Sequence, residues 1–313
     1  MVSRIRLGVA AGLTIAFIAF YASAEPLKLS LATATKGGGF ELFGSALAEI
    51  VNAGDGAVAI EARNTKGSLQ NIDLLSGGAF DLGMVQGVAA HEAFAGVGRP
   101  SVDLKVIAAI YSSPGLFVVA PGGEARTVRD LVGQPIAWGA RSSGLTLMAG
   151  YAMDGLGLDR DKDFEARYLT RAGDGPPLVL NGEVAAFWGA GVGWPGFVKV
   201  TEAGGRFIGF TEEEAARIAS KHPFLSSMTL PAGSYAGQTS DLRAVGVWSF
   251  ILSRADLPEA QAYAVAKAIH EAQPALAARL AQAAETTPRN TRAAAPPDRL
   301  HPGVERYLAE LGL

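Results

Sequence analysis

Three short stretches combine residue types suited to holding an anion: ATATKGGGF (32–40), RNTKGSLQN (63–71) and GARSSGL (139–145). Each mixes glycine with serine or threonine and carries a cation: Lys36, Lys66 or Arg141. Each lies where a strand-like run hands over to a helix-like one. At such a junction the first N–H groups of the helix have no intrahelical partner, and the helix dipole makes them positive. Glycine lets a ligand approach that backbone, hydroxyls add donors, and arginine can grip a carboxylate with two parallel bonds. A single stretch of this kind is equally an ordinary capped turn. Three of them, spread along the chain, predict one cleft at the carboxyl ends of strands.

Other chemistry is not written in the sequence. The phosphate loop GxxxxGK[ST], the dinucleotide turn GxGxxG and the nucleophile elbow GxSxG do not occur, and His91-Glu92 begins an HExxH pattern that fails at Ala95. His91, His222, His270 and His301 are far apart in sequence, and cysteine is absent. That count excludes disulfides, thiolate metal sites, cysteine nucleophiles and a lipidated N-terminal cysteine. The expectation is a binding protein, not an enzyme, with no cofactor and no metal.

The elements that must carry these turns follow from periodicity. LKLSLAT (27–33) reads as a strand, and the next segment places Phe43, Ala46, Leu47, Ile50 and Val51 on one helical stripe. Strands at 58–62, 80–86 and 104–111 alternate with helices from Ser68 and around AAHEAFAG. The pattern restarts after Gly115 with strands at 116–121, PIAWGA, FEARYLT, VAAFWGA and RFIGF. Helices start at SGLTLMAG and at Thr211, where Thr211 and Glu214 form a capping box; a long one runs from Pro258 to about Ala284. Such alternation predicts α/β layers with mostly parallel sheets. Two rounds of it predict two lobes, with residues 244–253 carrying the chain back to the first and 286–298 an irregular loop.

Composition sets the outer limits. The 313 residues are 49% apolar and 18% charged, with a net charge of −3, so the chain is globular and its overall field does not draw nucleic acid or an anionic membrane. Arg4 and Arg6 precede an apolar run from Leu7 to Tyr21, followed by Ala22-Ser23-Ala24. Small residues at those positions predict an export signal cleaved after Ala24; the run is close to the shortest that spans a bilayer, so a retained anchor is the alternative. Cleavage removes two arginines and no acid, leaving a more acidic chain in the periplasm, not attached to lipid.

These residues, taken in order, resemble the TAXI-type solute receptors of TRAP transporters. ATATKGGGFELFGSALAEIVN looks like that family's GTGSxGGxYYxLGxALAxLLN. RNTKGSLQNIDLLSGGAFDLGMVQ, AAIYSSPGLFVVAP, AAFWGAGVGWP, KHPFLSSMTLPAGSYAGQ and LHPGVERYLAELGL are similar to its later motifs. The resemblance runs from about Leu27 to Leu313 and implies a type II periplasmic-binding-protein fold with a ligand cleft between lobes. It implies a signal peptide over 1–24, one lobe from 25–115 and 244–313, and a second from 116–243. It also implies capture of a small organic acid or amino acid, glutamate or a 2-oxo dicarboxylate being the usual thought, by hinge closure in a monomer. A sodium-coupled TRAP-type permease would receive it. Receptors of ABC importers and ligand-sensing partners of two-component kinases share such a fold and are the alternative.

Carried over position by position, the ligand loops fall on Thr33, Thr35, Gly38 and Phe40, then on Thr65, Gly67 and Ser68, and on Gln86. Tyr111 sits near the crossover. The second lobe brings Gly139, Arg141, Ser142, Ser143 and Gly144 opposite Trp188, Gly189 and Ala190. The chain departs from the pattern at Ala32, Ala34, Phe40-Glu41, Gly87-Val88, His91, Ala140-Arg141 and Leu145, losing hydroxyls and gaining an arginine. Those departures predict an anionic ligand other than the family's usual amino acid, held by Arg141. Glu41, if inside the cleft, would restore an amino acid.

Overall fold

A computed structural model describes residues 25–54 and 56–313; the expected export segment at 1–24 lies outside them. Among the described residues, no helix is long and apolar enough to cross a membrane. The chain begins β1 (Leu27–Ala32), α1 (Gly39–Ala53), β2 (Val58–Arg63), α2 (Ser68–Ser76), β3 (Leu82–Gln86) and α3 (Gly87–Ala95). β4 (Leu104–Val119) then leads into β5 (Pro135–Ala140), α4 (Gly144–Gly155), β6 (Glu165–Leu169), α5 (Gly175–Leu180) and β7 (Ala186–Ala190). Next come α6 (Pro195–Glu202), β8 (Arg206–Ile208), α7 (Glu212–Lys221) and β9 (Ser226–Leu230). β10 (Leu242–Arg254) returns, and α8 (Glu259–Arg279), α9 (Pro288–Ala294) and α10 (Pro302–Glu310) close the chain.

Local signals explain many of these boundaries. The Thr211 hydroxyl accepts from Glu214 N–H at 3.1 Å, and the Glu214 carboxylate accepts from Thr211 N–H at 2.9 Å. This reciprocal cap starts α7 as its sequence predicts. In α1 the expected stripe is inward, with Phe43, Ala46, Leu47 and Val51 buried.

The sheet is mixed, where alternation predicted a mostly parallel one. Its order is β2-β1-β3-β10-β4-β7-β5-β6, with β8 beside β4 and β9 beside β10. β1 runs parallel to β2 and β3, and β5 parallel to β6 and β7. β10 is antiparallel to β3, β4 and β9, and β4 to β7 and β8. The difference comes from β4. Residues 104–121 read as two strands broken near Gly115, yet Leu104–Val119 is one strand of 16 residues. Gly115 stays in it because a Cβ there would meet the Trp188 and Met148 side chains at 2.6 and 2.7 Å.

β4 and β10 therefore run through both lobes. Ile107–Ile110 and Phe250–Leu252 pack in a core with β1–β3 and α8–α10, whereas Leu116–Val119 and Ala244, Val245 and Val247 pack in cores of the second lobe. Between them, Ser112–Gly115 pairs antiparallel with Val245–Trp248 at the waist. The C-terminal segment buttresses this waist. The Glu285 carboxylate accepts from Ser112 N–H at 2.5 Å and from its hydroxyl at 3.0 Å, and the Thr286 hydroxyl donates to Ile110 C=O at 2.6 Å. Residues 286–298 were expected to be irregular, but α9 forms there, its start capped by the Thr287 hydroxyl accepting from Asn290 N–H. The proline-rich flank hides a helix whose first position tolerates Pro288.

One buried histidine gives this fold a pH dependence. His270 stacks on Tyr307 with ring centroids 5.6 Å apart, its Nε2 is 3.0 Å from the Thr291 hydroxyl, and burial pulls its pKa down to about 4. The folded state thus resists a proton that the unfolded chain takes up below about pH 6.5. Stability is fully present above that value and falls as the pH drops towards 4, with about 2 kcal/mol lost by pH 5. Urea midpoints at pH 7.5 and 5 read this loss, and H270Q is expected to flatten that part of it.

Candidate ligand-binding site

The three glycine and hydroxyl turns meet at a cavity of about 80 Å³ between the lobes. Its wall includes Thr35, Gly38, Gly39 and Phe40 at the start of α1, and Lys66, Gly67 and Ser68 at the start of α2. From the second lobe come Gly139, Ala140, Ser143 and Leu145 around the start of α4, Phe187 and Ala190 of β7, Ala172 and Trp194. The waist supplies Tyr111, Ser113 and Ser249, and Gln86 ends β3. About 80 Å³ holds several waters or one small molecule.

Backbone geometry brings three helix starts to this wall, although the Leu69 N–H of α2 and the Leu145 N–H of α4 already have acceptors within the protein. α1 and α2 begin after Gly38 and Gly67, and neither N-cap makes a side-chain cap bond. Gly67 has φ 113°, a left-handed conformation that a side chain would strain. α4 begins after Ser143, whose hydroxyl accepts from Leu145 N–H at 3.1 Å. Helix N-termini of this kind carry partial positive charge. Burial pushes the Tyr111 pKa up, so its hydroxyl stays protonated and able to donate. The Ser113 and Ser249 hydroxyls sit 3.0 Å apart and join the two crossover strands. Lys66, an exposed residue, is the one charged residue among the described residues on this wall.

The lobes touch at the rim. Leu69 N–H donates to Ser142 C=O at 3.1 Å, and Ala172 N–H donates to the Thr35 hydroxyl at 3.1 Å. Gln86 Nε2 donates to Met148 Sδ at 3.1 Å, while its Oε1 accepts from Val88 N–H at 3.2 Å. Gly39 admits the indole opposite it, since a Cβ there would stand 3.1 Å from Trp194.

Of the residues selected from sequence, Thr35, Gly38, Phe40, Gly67, Ser68, Gln86, Tyr111, Gly139, Ser143 and Ala190 lie on the cavity wall. The others lie elsewhere. Thr33 is buried and donates to Arg63 C=O, while the Thr65 hydroxyl donates to Asn71 Oδ1 at 2.6 Å. Ser142 offers its carbonyl to the rim. Gly144 packs against Gln86 and Ser68. Trp188 is fully buried, its Nε1 donating to Leu145 C=O at 3.1 Å, and Gly189 is covered by Trp194 and Phe197.

Arg141 is the largest departure. Its guanidinium lies 3.8 Å from the centroid of Tyr168, on the exposed side of the turn, and it lines a separate groove with β6. R141A is therefore expected to change ligand affinity less than about threefold, read by calorimetry. Glu41 also stays off the wall, its Oε2 3.4 Å from Gly37 N–H. Sequence reasoning missed Ser113, Ser249, Phe187 and Trp194. Lys66 was named as a cradle cation without being placed among the ligand residues.

Residues 31–312 match the model of the NMT1-like family. The chain belongs to the NMT1-like family. The TAXI-type assignment that the motifs imply is not what this match describes. The NMT1-like chain shares the two-lobed α/β fold of type II periplasmic solute-binding proteins. It is similar to the alkanesulfonate-binding protein SsuA from Xanthomonas axonopodis pv. citri bound to MOPS, at 19% identity and TM-score 0.51, covering 91% of this chain and 84% of that one. The periplasmic aliphatic sulphonate binding protein SsuA from Escherichia coli gives 18% and 0.51 with the same coverage of 91% and 84%. A protein described as an L-cystine ABC transporter from Listeria monocytogenes gives 11% and 0.52, covering 83% and 98%.

Proposed function

We propose that this NMT1-like chain is an exported solute receptor that captures a small organic anion between its lobes and delivers it to a membrane importer. One observation carries the reading: three helix starts, two from one lobe and one from the other, converge on a cavity lined by hydroxyls and a single cation. Residues 25–115 with 244–313 are taken as one lobe and 116–243 as the other, the first residues of β10 reaching into the second lobe's cores. Thr35, Ser68, Gln86, Tyr111 and Ser143 are the wall residues selected from sequence that we assign to polar contact with the ligand, together with Ser113, Ser249 and Lys66. The role has no chemical step, needs no cofactor and suits a monomer in the periplasm.

A thermal-shift screen of organic acids, sulfonates and amino acids tests the reading. A ligand at 100 times its Kd stabilises by about 2.7 kcal/mol, which raises the melting temperature by several degrees. If no compound of these classes shifts it, the receptor reading fails.

We assign the importer to the ABC type, with support from the likeness of fold to SsuA and to the Listeria monocytogenes protein. The ordered motifs from Leu27 to Leu313 favour a second reading, a sodium-coupled TRAP-type permease. Uptake into vesicles carrying the permease encoded beside this chain separates the two. Dependence on ATP supports the first, and dependence on a sodium gradient supports the second.

A further inference from the structure

The cavity wall also restricts which anion fits. Resting on the receptor reading, we propose that the ligand is a small monoanion with an apolar body and no ammonium group, its head a carboxylate or a sulfonate. The head faces the starts of α1, α2 and α4, the hydroxyls of Ser68 and Ser143, and Lys66. The body meets Phe40, Leu145, Phe187 and Trp194, which give the wall its apolar character.

Three acids beside wall residues, Glu41, Asp174 and Glu285, are engaged off the wall. Glu41 turns back to Gly37 N–H at the outer rim. Asp174 accepts from Arg171 Nε at 3.1 Å and from Arg171 N–H at 3.0 Å. Glu285 holds Ser112, between the two wall residues Tyr111 and Ser113 but itself off the wall. An ammonium group buried here would find no carboxylate among the described wall residues, and an unpaired buried charge is strongly disfavoured. A second carboxylate would likewise find no second cation there.

A matched pair isolates the ammonium. 4-Methylpentanoate and leucine share an isobutyl body and a carboxylate, and differ by one amino group. Calorimetry on the protein, with butane-1-sulfonate and succinate as further arms, is expected to show the monoanions binding at least about 100-fold tighter than leucine or succinate. Whichever of 4-methylpentanoate and butane-1-sulfonate binds more tightly identifies the head. Leucine or succinate binding as tightly as the monoanions would overturn this proposal and leave the receptor reading intact. Binding of none of the four, with a thermal-shift hit from another class, also overturns it; no hit at all overturns both.

Discussion

G144L is expected to weaken ligand binding roughly 100-fold while leaving the unliganded protein folded. Gly144 opens α4 with ordinary helical backbone, so leucine is locally favoured over glycine there. The obstacle lies on the other lobe. A Cβ at this position would stand 2.6 Å from the Gln86 Cβ and 3.0 Å from the Ser68 Oγ. Neither Gln86 nor Ser68 can retreat easily, since both are buried and Ser68 Oγ accepts from Gln86 N–H at 3.1 Å. The lobes must therefore separate to relieve the contact. Overpacking costs about 1–3 kcal/mol, and each 1.4 kcal/mol is tenfold in affinity. Calorimetry with any thermal-shift hit reads the loss, and the unliganded melting temperature, expected within a few degrees of the parent, shows that the fold survives. An affinity within threefold of the parent would mean that closure at this rim is not coupled to binding.

The second large effect is on stability. Asn71 is fully buried on α2, and its Nδ2 donates to Ala32 C=O, Thr33 C=O and Met84 C=O at 3.2, 2.7 and 2.7 Å. Its Oδ1 accepts from the Thr65 hydroxyl. One side chain thus ties the end of β1, the end of β3 and the second anion turn together. N71L keeps the branching at Cγ but is bulkier, and it takes the buried amide donor away from the Ala32 and Met84 carbonyls, while Thr33 C=O keeps the Thr65 hydroxyl at 3.1 Å. Each group left unsatisfied away from water costs about 1–3 kcal/mol. The expected loss is about 3 kcal/mol, seen as a lower urea midpoint with an unchanged slope. A change below about 1 kcal/mol would show that water or a shifted backbone satisfies the carbonyls.

These residues also mark what was legible from sequence. The turns of α1, α2 and α4 were visible because glycine, serine and threonine at a strand–helix junction have a local reason to be there, and Thr35, Gly38, Ser68 and Ser143 lie on the cavity wall. Ser113 and Ser249 were not, because they are 136 positions apart and meet only through the pairing of β4 with β10. Trp188 and Trp194 were exchanged for a similar reason. Trp188 is the middle residue of β7 and Trp194 follows its end, and the packing of Trp188 against Phe117, with ring centroids 4.9 Å apart, assigns it to the core. Spacing does not say which side of a turn faces the cavity, and Arg141 lies off its wall, where Tyr168 on β6 offers its guanidinium a ring. The continuous β4 escaped detection because Pro114-Gly115 reads as a break, while its glycine is needed for the close approach of Trp188.

The measurement closest to the central claim is a crystal structure of the protein with a bound thermal-shift hit. The anionic head is expected at the starts of α1, α2 and α4, with the body against Phe40, Leu145, Phe187 and Trp194 and the rim contact from Leu69 N–H to Ser142 C=O in place. A ligand seated outside this cavity, or held by Arg141 beside Tyr168, would contradict this placement.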